Sequence, residues 1–230
     1  MPRLAAIATA VLALAGACQT ERMAVGPEGS ISILGTDPWD VLAAPGESWR
    51  RQGPTAKGVS RSDFDGFSAL RVTNGDDGFA IVRPIKAILP ASPYLTWAWN
   101  AEPHGLQGHA VHLLVGFRGG RNGGSLRGGP WSGGDLPDHD RLLVISWGGS
   151  ALQRGSLQVA ERDGSARYTA RGGREQAGIW WRETVDLQVL HARAWPGDDR
   201  NDVHVAFIGF GAAEGQPAGS VRFSGIGLSR

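Results

Sequence analysis

From Ile31 onward, apolar side chains recur at every second position in short runs, and each run is stopped by a turn signal. Such a period of two is the mark of a half-buried β-strand, whose successive side chains leave on opposite faces. Leu95, Trp97 and Trp99 share one face, with Thr96 and Ala98 on the other. His109 to Phe117 carries a second stripe of Val111, Leu113, Val115 and Phe117. Leu142 to Trp147 is continuously apolar, as expected of a central strand covered on both sides. Leu157, Val159 and Glu161 alternate, and so do Val203, Val205 and Phe207. Val221 and Phe223 have one parity, Ile226 and Leu228 the other, and a β-bulge at Ser224-Gly225 returns both pairs to one face.

Turns are marked by Asn74-Gly75-Asp76-Asp77-Gly78, Asp163-Gly164 and Pro196-Gly197-Asp198. One segment reads as helix: Asp186 caps a turn in which Val189, Leu190 and Arg193 follow at helical spacing, and Pro196-Gly197 ends it. The expected fold is therefore all-β, an antiparallel β-sandwich with one short helix. Its 230 residues suit one large β-domain and would be cramped for two. That domain is expected over 31–230, with a Gly-rich insertion over 118–140.

Charge narrows the function classes. Twenty-three Lys+Arg against 22 Asp+Glu leave a formal +1. This argues against a nucleic-acid partner, which calls for a clear basic excess, and against charge-driven disorder. A single Cys excludes an internal disulfide framework and a Cys-cluster metal site.

The N-terminus reads as a secretory signal over 1–17. Arg3 supplies the positive start, and Leu4 to Gly16 is an apolar run too short to span a bilayer. Leu14-Ala15-Gly16-Ala17-Cys18 resembles the bacterial lipobox, although Ala15 stands where Leu is usual. The resemblance implies cleavage before Cys18, lipidation of its thiol and a membrane partner through that lipid. Ordinary cleavage near Ala17 is the alternative. Gln19 follows the Cys, with no Asp, which by the same resemblance implies outer-membrane sorting with the domain facing the periplasm. Residues 18–30 then read as a lipidated tether, polar and aperiodic, with Gly26-Pro27 and Gly29.

From about Val41 onward the chain resembles a family of exported bacterial proteins known as domain of unknown function 3047. Leu95-Thr96-Trp97-Ala98-Trp99 is similar to that family's Leu-x-Trp-x-Trp strand, and Arg141 to Trp147 to its next central strand. Gly178-Ile179-Trp180-Trp181-Arg182-Glu183 is similar to its Gly-x-Trp-x-x-Glu segment, and Gly225-Ile226-Gly227-Leu228 stands where a terminal Gly-Asp-Ile strand is expected. The acid before that Ile is missing, and Glu102-Pro103-His104-Gly105 replaces an Asp-rich stretch. The resemblance implies a galactose-binding-like jelly roll and no particular activity.

Tryptophan is the outstanding candidate for chemistry. Pyranose C–H groups pack on flat aromatic faces while nearby polar groups take the hydroxyls, yet Trp is also a large core filler. Trp97 and Trp99 share the face of Leu95 and read as core. Trp180 and Trp181 are adjacent on a strand and must split between faces. Trp131, in the Gly-rich loop, is the expected stacking residue of a ligand site, with loop anchor as its alternative. Asp135, Asp138 and His139 are the expected hydroxyl partners, with His112 beside them. Asp135, Asp138 and Asp140 also group hard oxygen ligands that could hold Ca²⁺, a cofactor with no other support. Asp198 to Asp202 invites the same thought, and a solvated turn is its alternative. His109 and His112 differ by an odd number, which is poor geometry for sharing a metal.

Three function classes follow. The first is a non-catalytic binding module for a glycan or another envelope ligand. The second is a glycan hydrolase using Glu183 with a second carboxylate, Glu102 or Asp135. The third is a structural or assembly lipoprotein that contacts other envelope proteins.

Overall fold

The computed structural model describes residues 29–35, 48–54, 58–120, 130–132, 134–160 and 164–230. The signal, Cys18, nearly all of the tether and residues 121–129 and 133 of the Gly-rich insertion lie outside these. In chain order the strands are β1 (Ile31–Leu34), β2 (Arg50–Gln52), β3 (Val59–Phe64), β4 (Phe67–Thr73), β5 (Phe79–Ile88), β6 (Tyr94–Ala101), β7 (His112–Arg118), β8 (Arg141–Gly148), β9 (Leu157–Val159), β10 (Ser165–Gly172), β11 (Trp181–Asp186), β12 (His204–Ala212) and β13 (Ser220–Ser229). Among the described residues one α-helix, α1 (Leu187–Ala194), leads away from β11.

The strands form two sheets. The front sheet has the order β11-β6-β13-β4-β3, with β1 also on β13; the back sheet has the order β2-β5-β12-β7-β8-β10-β9. All pairs are antiparallel except β8 with β10, which run parallel. The short β9 makes that possible, because it takes the chain back and pairs antiparallel with β10 at the edge.

The inward faces interlock through aromatic rings. Trp97 and Trp99 of β6 and Trp147 of β8 are buried almost completely. Trp99 meets Trp97 at 5.5 Å and Trp147 at 5.3 Å, in both cases edge to face. Leu95, Phe117, Phe210 and Phe223 extend the same cluster. The bulge expected in β13 is present: the register shifts between Ser224 and Gly227, and Gly225 takes φ +57°, which an L side chain rarely adopts. As a result Val221, Phe223, Ile226 and Leu228 all join one core.

The back sheet is covered on both sides. Leu143, Ile145 and Trp147 of β8 face the main core. Leu142 and Val144 face a second cluster on the outer side, with Ala80, Val82, Leu114, Trp131, Leu136 and Phe207. The continuous apolar run of β8 has this double burial as its cause. One expectation fails here. Val205 and Phe207 were expected on one face, but the register of β12 shifts between them and sends Phe207 outward.

The Asp186 cap is as expected, its carboxylate accepting from Val189 N at 2.9 Å. The buried stripe of α1 is Leu187, Leu190, His191 and Ala194, whereas Val189 is half exposed. Trp99→Ala should cost about 3–5 kcal/mol of stability, the range for emptying a large aromatic site in a core. Urea unfolding checks this, and a loss below about 1 kcal/mol would contradict the interlock.

Candidate functional site

The outer side of the back sheet holds most of the residues singled out from the sequence. The described end of the Gly-rich loop folds over it, with Trp131 only 4% exposed and its Nε1 donating to Phe79 O at 3.0 Å. Gly211 makes room for the indole, since a Cβ there would lie 2.7 Å from Leu114 and 3.0 Å from Trp131 Nε1. Trp131 is thus the anchor of its loop, and no broad face of it is left for a sugar. A large apolar ring next to an uncovered apolar sheet face gains more by covering that face than by waiting in solvent.

His112 and His139 are buried with Trp131. The His112 ring meets Trp131 edge to face, and Arg167 Nη1 donates to its Nε2 at 3.3 Å. A guanidinium can only donate, so the neutral ring carries its proton on Nδ1. His139 Nδ1 donates to Pro137 O at 2.8 Å, and its ring packs on Phe207. Asp135 and Asp138 remain exposed, Asp138 beside Arg118 at 3.6 Å. Asp140 accepts from Gly119 N and is buried. The expected trio of Trp131, Asp135 and His139 therefore does not converge on one depression. Asp135, Asp138 and Asp140 do not form a Ca²⁺ cage: among the described residues no three His, Cys, Asp or Glu come together as a metal-holding group.

Glu183 lies inside the sandwich, opposite Trp97 in the β11–β6 ladder. Its Oε1 accepts from Arg171 Nε at 2.5 Å and its Oε2 from Arg154 Nη2 at 3.3 Å. Arg171 also donates to Gln176 and stacks 3.7 Å from the Trp181 ring centre. This cluster ties the two sheets together at one edge. Glu102 leaves β6 on the opposite side of the front sheet, and Asp135 sits beyond the back sheet. Neither can face Glu183 across a cleft, so the two-carboxylate arrangement fails on topology.

A different set of side chains converges on the outer face of the front sheet. Ser60, Arg71, Arg222 and Asn100 stand in register across β3, β4, β13 and β6. Glu102 closes the row. It accepts from Arg71 Nε at 3.0 Å and Nη2 at 3.1 Å, and from Arg222 Nη2 at 2.9 Å. Arg222 further donates to Ser62 and Asn100 and lies 4.3 Å over the Phe64 ring. Burial alone would push the Glu102 carboxyl up; hydrogen bonds and charge from the two guanidiniums outweigh it and hold the group below its ordinary range. Arg71 and Glu102 keep 37% and 28% of their side-chain surface and are reachable from solvent, whereas Arg222 keeps 14% and Asn100 is fully buried beneath it.

Aromatic rings border this row. Asp65 (φ +52°) and Gly66 (φ +76°) form the two-residue turn between β3 and β4, which places Phe64 opposite Phe67. Trp180 packs on Phe67 at 5.1 Å and donates Nε1 to Phe64 O at 3.2 Å. Trp180 precedes β11, at the far edge from β3, and in a flat sheet those edges would be about 19 Å apart. The Trp180 side chain thus reaches across the outer face of the front sheet to its opposite edge. Small side chains line the next row, with Ser62 paired to Ala69 and Ser224 to Ala98. Phe67 is 49% exposed. The splitting of Trp180 and Trp181 between faces was legible in the sequence. Arg71, Arg222, Asn100 and Phe67 were missed, and only the Asp65-Gly66 hairpin signal pointed toward them.

No protein-family model matches the chain, and no curated protein matches it. The chain is similar to several solved structures. One is a family 11 carbohydrate-binding module from Clostridium thermocellum in complex with a mixed-linked tetrasaccharide, at 10% identity and TM-score 0.42, covering 86% of this chain and 94% of that one. Another is a family 30 carbohydrate-binding module of a Clostridium thermocellum cellulosomal cellulase, at 12% identity and TM-score 0.41, covering 86% and 96%. A third is endoglucanase 3 of Trichoderma harzianum, at 13% identity and TM-score 0.41, covering 88% and 90%.

The buried imidazoles make stability depend on pH. Burial pushes His109 and His191 down to about 4 and His112 to about 3, below the ordinary 6.5. Between those limits the unfolded chain binds the protons and the folded one does not. Stability should be fully present above about pH 6.5 and fall as pH drops toward 4. Urea midpoints at pH 7, 5.5 and 4.5 should decline in that order; a flat series would contradict these burials.

Proposed function

We propose that the chain is a non-catalytic binding module that takes a glycan on the outer face of its front sheet. The observation that carries this reading is the Trp180–Phe67 pair on the same face as the solvent-reachable Arg71 and Glu102, which Arg222 and the buried Asn100 brace from below. A sugar ring needs both an apolar face and directional polar groups, and here they lie on one side of one sheet. Arg222 and Asn100 are held by their neighbours, and Glu102 is pinned by two guanidiniums, so little side-chain entropy is lost when a ligand arrives. A half-exposed Phe67 ring next to charged groups serves no need of the core.

The tether belongs to the same reading. Lipidation at Cys18 would anchor the module in the cell envelope, at the outer membrane facing the periplasm, since several acyl chains on one residue hold where a single chain does not. The likeness to domain of unknown function 3047 fits an exported module of this kind.

Binding is measured with a glycan array and peptidoglycan fragments, followed by calorimetry on the best binder. Trp180→Ala should weaken that binder at least tenfold while circular dichroism stays unchanged. Full binding by Trp180→Ala, or loss confined to Trp131→Ala, would contradict the assigned face. The intact mass of the protein extracted from membranes should show an acylated chain starting at Cys18; an unlipidated chain would overturn the anchor.

A further inference from the structure

We infer that the saccharide taken on this face is acidic, with its carboxylate received by Arg71. The inference rests on the glycan-binding reading and adds the chemical class of the ligand. Across the row two guanidiniums, Arg71 and Arg222, share one carboxylate, Glu102. Glu102 stays ionised because the guanidiniums hold it below its ordinary range, so the cluster keeps a net charge of one cation. Arg182, exposed on the same face next to Ala98, adds to that field.

The two arginines differ in what they have left to give. Arg222 donates through Nε to Ser62, through Nη1 to Asn100 and through Nη2 to Glu102, and its side chain is only 14% exposed. Arg71 gives Glu102 one hydrogen from Nε and one from Nη2. A guanidinium has five N–H donors, so the end-on fork of Arg71 retains both hydrogens of Nη1 and one of Nη2. That fork matches a second carboxylate in bidentate geometry, and Arg71 is 37% exposed. Pairing with Glu102 also fixes the guanidinium plane before the ligand comes.

Phe67 and Arg71 lie on the same face of β4, four residues and about 13 Å apart along the backbone. An oligosaccharide with a uronate unit next to a ring on the aromatic pair spans that interval.

The test compares three probes of equal length on the full chain by calorimetry: a galacturonate oligosaccharide, its carboxyl-reduced neutral counterpart, and a sulfated neutral counterpart. The galacturonate should bind at least tenfold more tightly than the neutral form and more tightly than the sulfated one, and its affinity should fall as salt is raised. Arg71→Gln should bring the ratio of acidic to neutral affinity close to one. Arg71→Lys keeps the charge and a partner for Glu102, guards against a folding defect, and should retain only part of the ratio, because an ammonium cannot form the fork. Equal affinity for acidic and neutral probes overturns the acidic assignment and leaves the glycan reading standing. Preference for the sulfated probe overturns the carboxylate fork. Binding of none of the three, nor of anything on the array, overturns both.

Discussion

Trp97, Trp99 and Trp147 meet edge to face between the two sheets, and the rest of the molecule is arranged around that contact. Aromatic rings prefer this geometry because a positive ring edge meets a negative ring face. Once β6 and β8 are locked through their rings, every neighbouring strand inherits an inward and an outward parity. Leu95, Phe117, Phe210 and Phe223 fall inward by that rule. So does Glu183, which is why it needs Arg171 and Arg154 beside it. A buried carboxylate without such partners would be strongly destabilising.

The outward parities are used differently on the two sheets. On the back sheet they are mainly apolar and small, and the loop bearing Trp131 and Leu136 folds down to cover them. On the front sheet they are Arg71 and Arg222, joined through Glu102, with Asn100 and Ser62 bonded to Arg222 and with Phe67 and Trp180 at the margin. One outer face is sealed by its own chain, and the other presents ordered polar groups and aromatic surface. The proposed recognition surface is therefore the front sheet, although the loop that looked most like a ligand site belongs to the back one.

Much of the framework was legible because alternation is local. The β6 stripe, the doubly covered β8, the bulge at Gly225 and the Asp186 cap all depend on residues within a few positions of one another. The failures are non-local. The bulge between Val205 and Phe207 carries no glycine or other signal at its own position. The parallel pairing of β8 with β10 depends on how β9 turns the chain. Trp131 looked available because a Gly-rich loop offers little packing, yet its partners Phe79, Leu114 and His112 come from other strands. Arg71 and Arg222 are brought side by side only by the β4–β13 register.

In the proposed binding mode, ligand meets the front sheet and leaves the back sheet's loop alone. Nuclear magnetic resonance reads this through the indole N–H signals of a ¹⁵N-labelled chain during titration with a bound saccharide. The Trp180 signal should move with saturation while that of Trp131, hydrogen-bonded to Phe79 O beneath its loop, stays in place. Movement of Trp131 with Trp180 unchanged would contradict it.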